Sequence, residues 1–205
     1  MGRAGYVKDL RKIAADAATC TRCPLHERAT QTVFGEGSAA ARVMLVGEQP
    51  GDQEDKQGHP FVGPAGHLLD RALADSGISR ADTYVTNAVK HFKWQERGKR
   101  RIHQRPNTGE IKACRPWLDA ELGLVGPRLV VLLGAVAGES LFGSRFRVGE
   151  HKGQAREATA GEWHGLVVAT IHPSAVLRGP DPESRDRAYE GLVADLSAAR
   201  KAAAL

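Results

Sequence analysis

An α/β fold is predicted, a three-layer αβα sandwich with a central four-stranded parallel sheet in a single domain over residues 1–205. Two observations predict it. Short β-branched apolar runs recur along the chain, and segments of helical period lie between them. The runs are residues 42–47 (RVMLVG), 83–89 (TYVTNAV), 128–134 (RLVVLLG) and 166–171 (LVVATI), each flanked by turn residues. A helix is expected over 8–18. Over 65–76, Leu68, Leu69, Ala72 and Leu73 share one helical face and Gly77 is the expected stop. Over 110–124, Ile111, Leu118 and Leu122 fall at helical spacing, with Asn107 or Thr108 as cap. Residues 135–142 form a further helix, and Pro182 opens the last, with a stripe of Ala188, Leu192, Val193 and Leu196.

The 205 residues are 41% hydrophobic and 26% charged, too apolar for disorder and enough for a core without disulfides. No apolar run approaches the roughly 18 residues of a membrane span, and the first twenty residues show no signal-peptide core. A cytoplasmic, monomeric protein is expected. Lys plus Arg number 29 against 24 acids. Five of those cations (Arg97, Lys99, Arg100, Arg101 and Arg105) crowd into nine residues without an acid. Such a stretch is either a solvated loop or a contact for a polyanion.

Three cysteines make an odd set, and with no secretion signal a disulfide framework is not expected. Cys20 and Cys23 form a C-x2-C pair, and Cys114 stands alone downstream. The pair follows a helix and precedes no hydrophobic strand, which favours metal ligation over a thioredoxin-like redox role. Three thiolates leave a four-coordinate site one ligand short, and histidine is the usual substitute.

Ligands of an open parallel sheet bind outside the carboxyl ends of its strands. That rule nominates the loop from Glu48 to Gly51, the stretch after Val89, the turn after Gly134 and the loop from His172 to Ser174. These segments resemble the uracil-DNA glycosylase superfamily. Residues 47–51 (GEQPG) are similar to the GExPG loop of its iron–sulfur (family 4) branch, and residues 60–66 (PFVGPAG) to that branch's PFVGxAG segment. Residues 86–90 (TNAVK) resemble its TNxVK strand end, and residues 172–174 its HPS loop. Residues 99–103 (KRRIH) resemble the insertion of the UdgX subgroup, which bonds covalently to uracil-containing DNA.

The resemblance implies a [4Fe–4S] cluster. Its ligands would be Cys20, Cys23 and Cys114, with His91 at the position where family 4 has its fourth cysteine. A zinc site with the same Cys3His set is chemically possible, and the resemblance rather than the spacing selects iron–sulfur. The implied activity is excision of uracil from DNA, single strands preferred, and DNA binding would associate the protein with the nucleoid. Asn87 would read the base, since one amide donor and one acceptor complement uracil O4 and N3–H. Phe61 would stack on the flipped base. His172 would hydrogen-bond uracil O2 as charge builds there. Ser174 would contact phosphate or shape its loop. Glu48 and Gln49 would flank the sugar, the carboxylate favouring its cationic form. Residues 58–60 are expected to wall the pocket, with His59 a spectator.

His103 is implied as the nucleophile: an imidazole titrating near pH 6.5 is largely neutral at physiological pH. Its attack on C1′ would leave the protein tethered to DNA. Lys99, Arg100, Arg101 and Arg105 would hold the loop against flanking phosphates. The alternatives are a family 4 enzyme that turns over with water, and a non-catalytic DNA-binding module. Trp94 is a weaker candidate for stacking on DNA.

Overall fold

The computed structural model describes residues 3–205, with side-chain surroundings from Asp9 onward. Its spine is a six-stranded sheet in the order β1 (Glu36–Gly37), β3 (Thr83–Asn87), β2 (Val43–Gly47), β6 (Leu129–Leu133), β8 (Trp163–Thr170), β7 (Arg156–Ala160). The four expected strands form the middle and run parallel, and β1 and β7 add antiparallel edges. The sheet therefore has six strands rather than four. Both edges escape a search for apolar runs, β1 because it is two residues long and β7 because it is the polar stretch REATA. β8 starts earlier than expected because Trp163 and His164 pair back across a turn onto Ala160 and Thr159 of β7.

Helices cover both faces. On one, α4 (Thr108–Val125) buries Ile111, Cys114, Leu118 and Leu122 against Met44, Val130 and Leu132, and α1 (Arg3–Ala18) packs on α4. On the other, α3 (Pro64–Asp75) and α8 (Pro182–Ala202) bury Leu68, Leu69, Leu73, Leu192 and Leu196 against Leu45, Val131 and Val168. α5 (Ala135–Phe142) follows β6 directly. Asn107 caps α4 by accepting from the Glu110 N–H, while Glu110 Oε2 accepts from the Asn107 N–H. Past the Ser76 cap of α3, Gly77 takes a φ of +74°. No helix among the described residues is long and apolar enough to cross a membrane.

The arginine-rich stretch is a β-hairpin, not a loop. β4 (Trp94–Arg97) and β5 (Arg100–His103) pair antiparallel across a two-residue turn at Gly98 and Lys99. Strand alternation puts Arg101 and His103 on one face, with Arg100 and Ile102 on the other.

Behind β3 lies a fully buried ion pair. Lys90 Nζ donates to Glu121 Oε2 (2.6 Å), Thr86 Oγ1 (2.6 Å) and the Asn87 carbonyl (2.7 Å). Glu121 also accepts from Thr86, Tyr84 and the Gly35 N–H, so no buried charge is left without partners. Burial and then the neighbouring carboxylate push the Tyr84 phenol far up. Lys90→Met should therefore cost about 3–5 kcal/mol by stranding Glu121, and Lys90→Met with Glu121→Leu should cost less. Thermal melting checks the order, and a double variant less stable than the single would contradict it.

Candidate active site

The crossover from β2 to β3 runs to one side of β2, and β6 lies on its other side, so the loop after Gly47 sits where the strand order reverses. A cleft of about 750 Å³ opens there. Glu48, Gln49, Phe61, Asn87, His103, Arg105, His172, Ser174 and Arg178 line it. The cleft thus brings together six residues singled out in the sequence as catalytic or base-reading. The segment at 58–60 is not among its walls, and His59 pairs instead with Glu36.

Two backbone features shape the base-sized end. Phe61 holds a φ of +58°, the left-handed region that a phenylalanine rarely adopts, which points to a functional constraint. A Cβ on Gly66 would lie 1.7 Å from the Phe61 carbonyl oxygen, and one on Gly47 would lie 2.3 Å from Asn87 Oδ1 and 2.7 Å from Phe61 Cζ. Glycine at both positions is what lets these side chains converge. Phe61 faces His172 at 6.2 Å between ring centroids, tilted 24°.

The tautomer of His172 follows from its neighbours. The Ser174 N–H donates to His172 Nδ1 (3.1 Å), and Ser174 Oγ lies 2.8 Å from the same atom. Arg178 Nη1 in turn donates to Ser174 Oγ (3.0 Å). Burial and the Arg178 charge press the imidazole pKa down to about 4, so near neutrality the ring is uncharged. Because Nδ1 accepts, its proton resides on Nε2. Ser174 thus orients His172 instead of standing free for a phosphate.

His103 Nε2 lies 3.3 Å from Glu48 Oε1. Burial and Arg178 lower the His103 pKa, which favours the neutral ring that a nucleophile needs. Burial raises the Glu48 pKa against the opposing fields of Arg105 and Arg178, and Oε1 is buried with no hydrogen-bond partner.

Three anchors hold the hairpin that carries His103. Arg101 Nε donates to Asp52 Oδ1 (2.6 Å), and Nη1 to the wholly buried Asp55 Oδ2 (2.7 Å). Asp52 and Asp55 lie on α2 (Asp52–Gln57). Asp55 also accepts from the Thr30 N–H and hydroxyl. Arg101 is therefore turned inward as a brace and does not face a phosphate. The Gln49 amide donates to the carbonyls of Lys93 and Gln104 and accepts from the Lys93 N–H. It lines the cleft, yet its polar atoms are committed to the hairpin base. The third anchor is Trp94, whose Nε1 donates to the Arg28 carbonyl. The guanidiniums of Arg28 and Arg101 lie 4.3 and 5.4 Å from its ring centroid, so the ring is already engaged. Lys99 and Arg100 at the hairpin tip are exposed, and Arg105 pairs with Glu139 at the cleft mouth.

Two contributors escaped sequence reasoning. Glu54 ties two loops together, accepting from the N–H groups of Gly51 and Gly63; its signal was an acid at the third helical position of α2. Arg178, at the end of the short helix α7 (Pro173–Leu177), places a cation among Glu48, His103 and His172; its signal was only that it follows the 172–174 loop.

A cofactor site fits the sulfur-bearing residues. The three cysteines are unbonded to one another and lie in one another's electrostatic field. Cys114 Sγ accepts the Lys90 N–H (3.2 Å) and Cys20 Sγ the Trp117 Nε1–H (3.3 Å), contacts that suit ligating thiolates. Burial raises the Cys23 thiol and takes that of Cys114 to about 11, so both are protonated thiols unless a cation is bound. His91 Nδ1 is buried without a partner, while Nε2 bonds Thr32 Oγ1 at 2.9 Å. Among the described residues, no three His, Cys, Asp or Glu converge as for a single ion.

Residues 34–196 match the family model of the uracil DNA glycosylase superfamily. The chain is 38% identical to a type-4 uracil-DNA glycosylase of Pyrobaculum aerophilum, across 84% of this chain and 86% of that protein. It is 38% identical to one from Thermotoga maritima, across 84% and 85%. A type-5 uracil-DNA glycosylase of Thermus thermophilus is 32% identical over 58% of this chain. The chain belongs to the uracil-DNA glycosylase superfamily, and within it stands with the type-4 proteins.

Two outcomes are expected. Arg101→Ala should cost about 1–3 kcal/mol and speed amide hydrogen exchange in the hairpin above all; hairpin amides as protected as before would contradict the brace. His172 is protonated more readily unfolded, near pH 6.5, than folded, near 4. Stability should therefore fall by about 3 kcal/mol as pH drops through that window. Denaturant melts should show a shallower fall in His172→Gln, and an equal slope would remove His172 as the cause.

Proposed function

We propose that this protein excises uracil from DNA and is left covalently bound to the abasic sugar through His103, as in the UdgX subgroup. The observation that carries the reading is His103, held on a braced hairpin inside the cleft with Nε2 beside Glu48.

Asn87, buried at the carboxyl end of β3, reads the uracil edge, and Phe61 stacks on the base. As the C1′–N1 bond breaks, its electron pair leaves on uracil. The His172 Nε2–H stabilises the charge developing at O2, and Glu48 stabilises the cationic sugar. The lone pair of His103 Nε2 then forms a bond to C1′. The resulting imidazolium loses its remaining N–H proton to water, and the uracil anion gains one from water. No step places a water on C1′, so the adduct persists. Lys99, Arg100 and Arg105 contact flanking phosphates, while Gln49 and Arg101 position the hairpin.

Cys20, Cys23, His91 and Cys114 would hold a [4Fe–4S] cluster, whose part is to pin the N-terminal segment to β3 and α4. Asp55 extends that tie to the hairpin through Thr30 and Arg101.

A second reading is turnover with water in place of His103. The identity to type-4 proteins favours it, as does the unpartnered Glu48 Oε1, where a water could be activated. Denaturing gels of protein mixed with uracil-containing single-stranded DNA separate the two. The covalent reading predicts a retarded band, lost in His103→Ala. Free uracil in molar excess over the unmodified protein, with no such band, would establish turnover instead.

A further inference from the structure

We propose that a second pocket, across α5 from the cleft, holds one more nucleotide of the same DNA strand. The proposal rests on the cleft being a DNA site. The pocket has a volume of about 250 Å³, and Phe142, Arg145, Phe146, His151, Gln154 and Arg156 line it above Val167 and Ala169 of β8. Two elements run from it to the cleft. α5 starts at the cleft with Ala135 and ends at the pocket with Phe142. The short helix α6 (Val148–His151) gives Val148 to the cleft and His151 to the pocket.

Its chemistry matches one nucleotide. Phe142 is 46% exposed, an unusual fate for a phenylalanine, and it backs onto the buried Phe146 with centroids 5.5 Å apart and rings 19° from parallel. The outer face of Phe142 is a rigid platform for a flat base, and the pocket is too small for a duplex. Phe146 packs in turn on His151 at 4.9 Å. His151 thus closes the pocket behind the two phenylalanines. Arg145 and Arg156 stand exposed at the rim, and no carboxylate lines the pocket. An exposed aromatic platform flanked by guanidiniums is the combination that single-strand recognition uses. The eight residues of α5 span about 12 Å, a distance that a few nucleotides of a single strand cover. The bound base is therefore one that flanks the uracil at that remove.

The test uses the full chain and Phe142→Ala, a surface change that leaves the core intact. Binding is read by fluorescence anisotropy on thymine-only strands, and uracil release in single-turnover assays. Strands of about five nucleotides are compared with strands extended by about ten on the 5′ or the 3′ side. Extension on one side should tighten binding to the unmodified protein. Phe142→Ala should weaken binding of the extended strand about 5- to 100-fold and leave the short strand and the maximal release rate unchanged. Phe142→Trp should restore binding, and Arg145→Gln should lower the salt slope by about one. Equal binding of the extended strand by Phe142→Ala and the unmodified protein would overturn the proposal. So would tight, Phe142-dependent binding of thymidine monophosphate alone, which would mark a site for free nucleotides. Because anisotropy needs no uracil release, a protein that shows this Phe142 dependence yet excises nothing would refute the proposed activity and keep the subsite.

Discussion

The arrangement depends on one guanidinium placed between two carboxylates of α2. An isolated two-stranded hairpin is marginal in water, and this one carries almost no apolar side chains to bury. What fixes it is polar: Arg101 on Asp52 and Asp55, and the Gln49 amide across its base. Since Arg101 and His103 share a face of β5, the pairing that anchors the first also aims the second. Asp55 bonds Thr30 as well, just beyond the C-x2-C pair, so the sulfur-bearing end of the molecule and the hairpin meet at a single buried carboxylate.

Electrostatics in the cleft point the same way. Arg178 sits among Glu48, His103 and His172, where burial first and then this cation lower both imidazole pKa values, that of His172 to about 4. A neutral His172 with its proton on Nε2 is a hydrogen-bond donor that holds no positive charge against the forming sugar cation. A neutral His103 is a nucleophile. In the proposed reaction one cation thus serves two histidines with different tasks, while Ser174, bonded to both Arg178 and His172, keeps the second ring in its tautomer.

Much of this was legible in the chain, and for identifiable reasons. The four buried strands are apolar on both faces, so they stand out as runs, and the site falls at their carboxyl ends as sheet topology requires. The edge strands were not legible, because pairing rather than composition makes β1 and β7 strands. The hairpin was hidden for a related reason: its residues are chosen for charge, and nothing apolar marks the alternation. Arg101 could not be told from Arg100 by sequence, since only the register of β5 turns one inward and the other out. The commitment of Gln49 to backbone groups far along the chain was equally invisible, as was the left-handed Phe61.

The central claim is that His103 Nε2 becomes bonded to C1′ of the deoxyribose. Tandem mass spectrometry of the protein digested after reaction with uracil-containing DNA tests it most directly. The account predicts a deoxyribose phosphate adduct on the peptide containing His103, with fragmentation placing it on that imidazole. An adduct on any other residue, or an unmodified His103 peptide alongside released uracil, would contradict it.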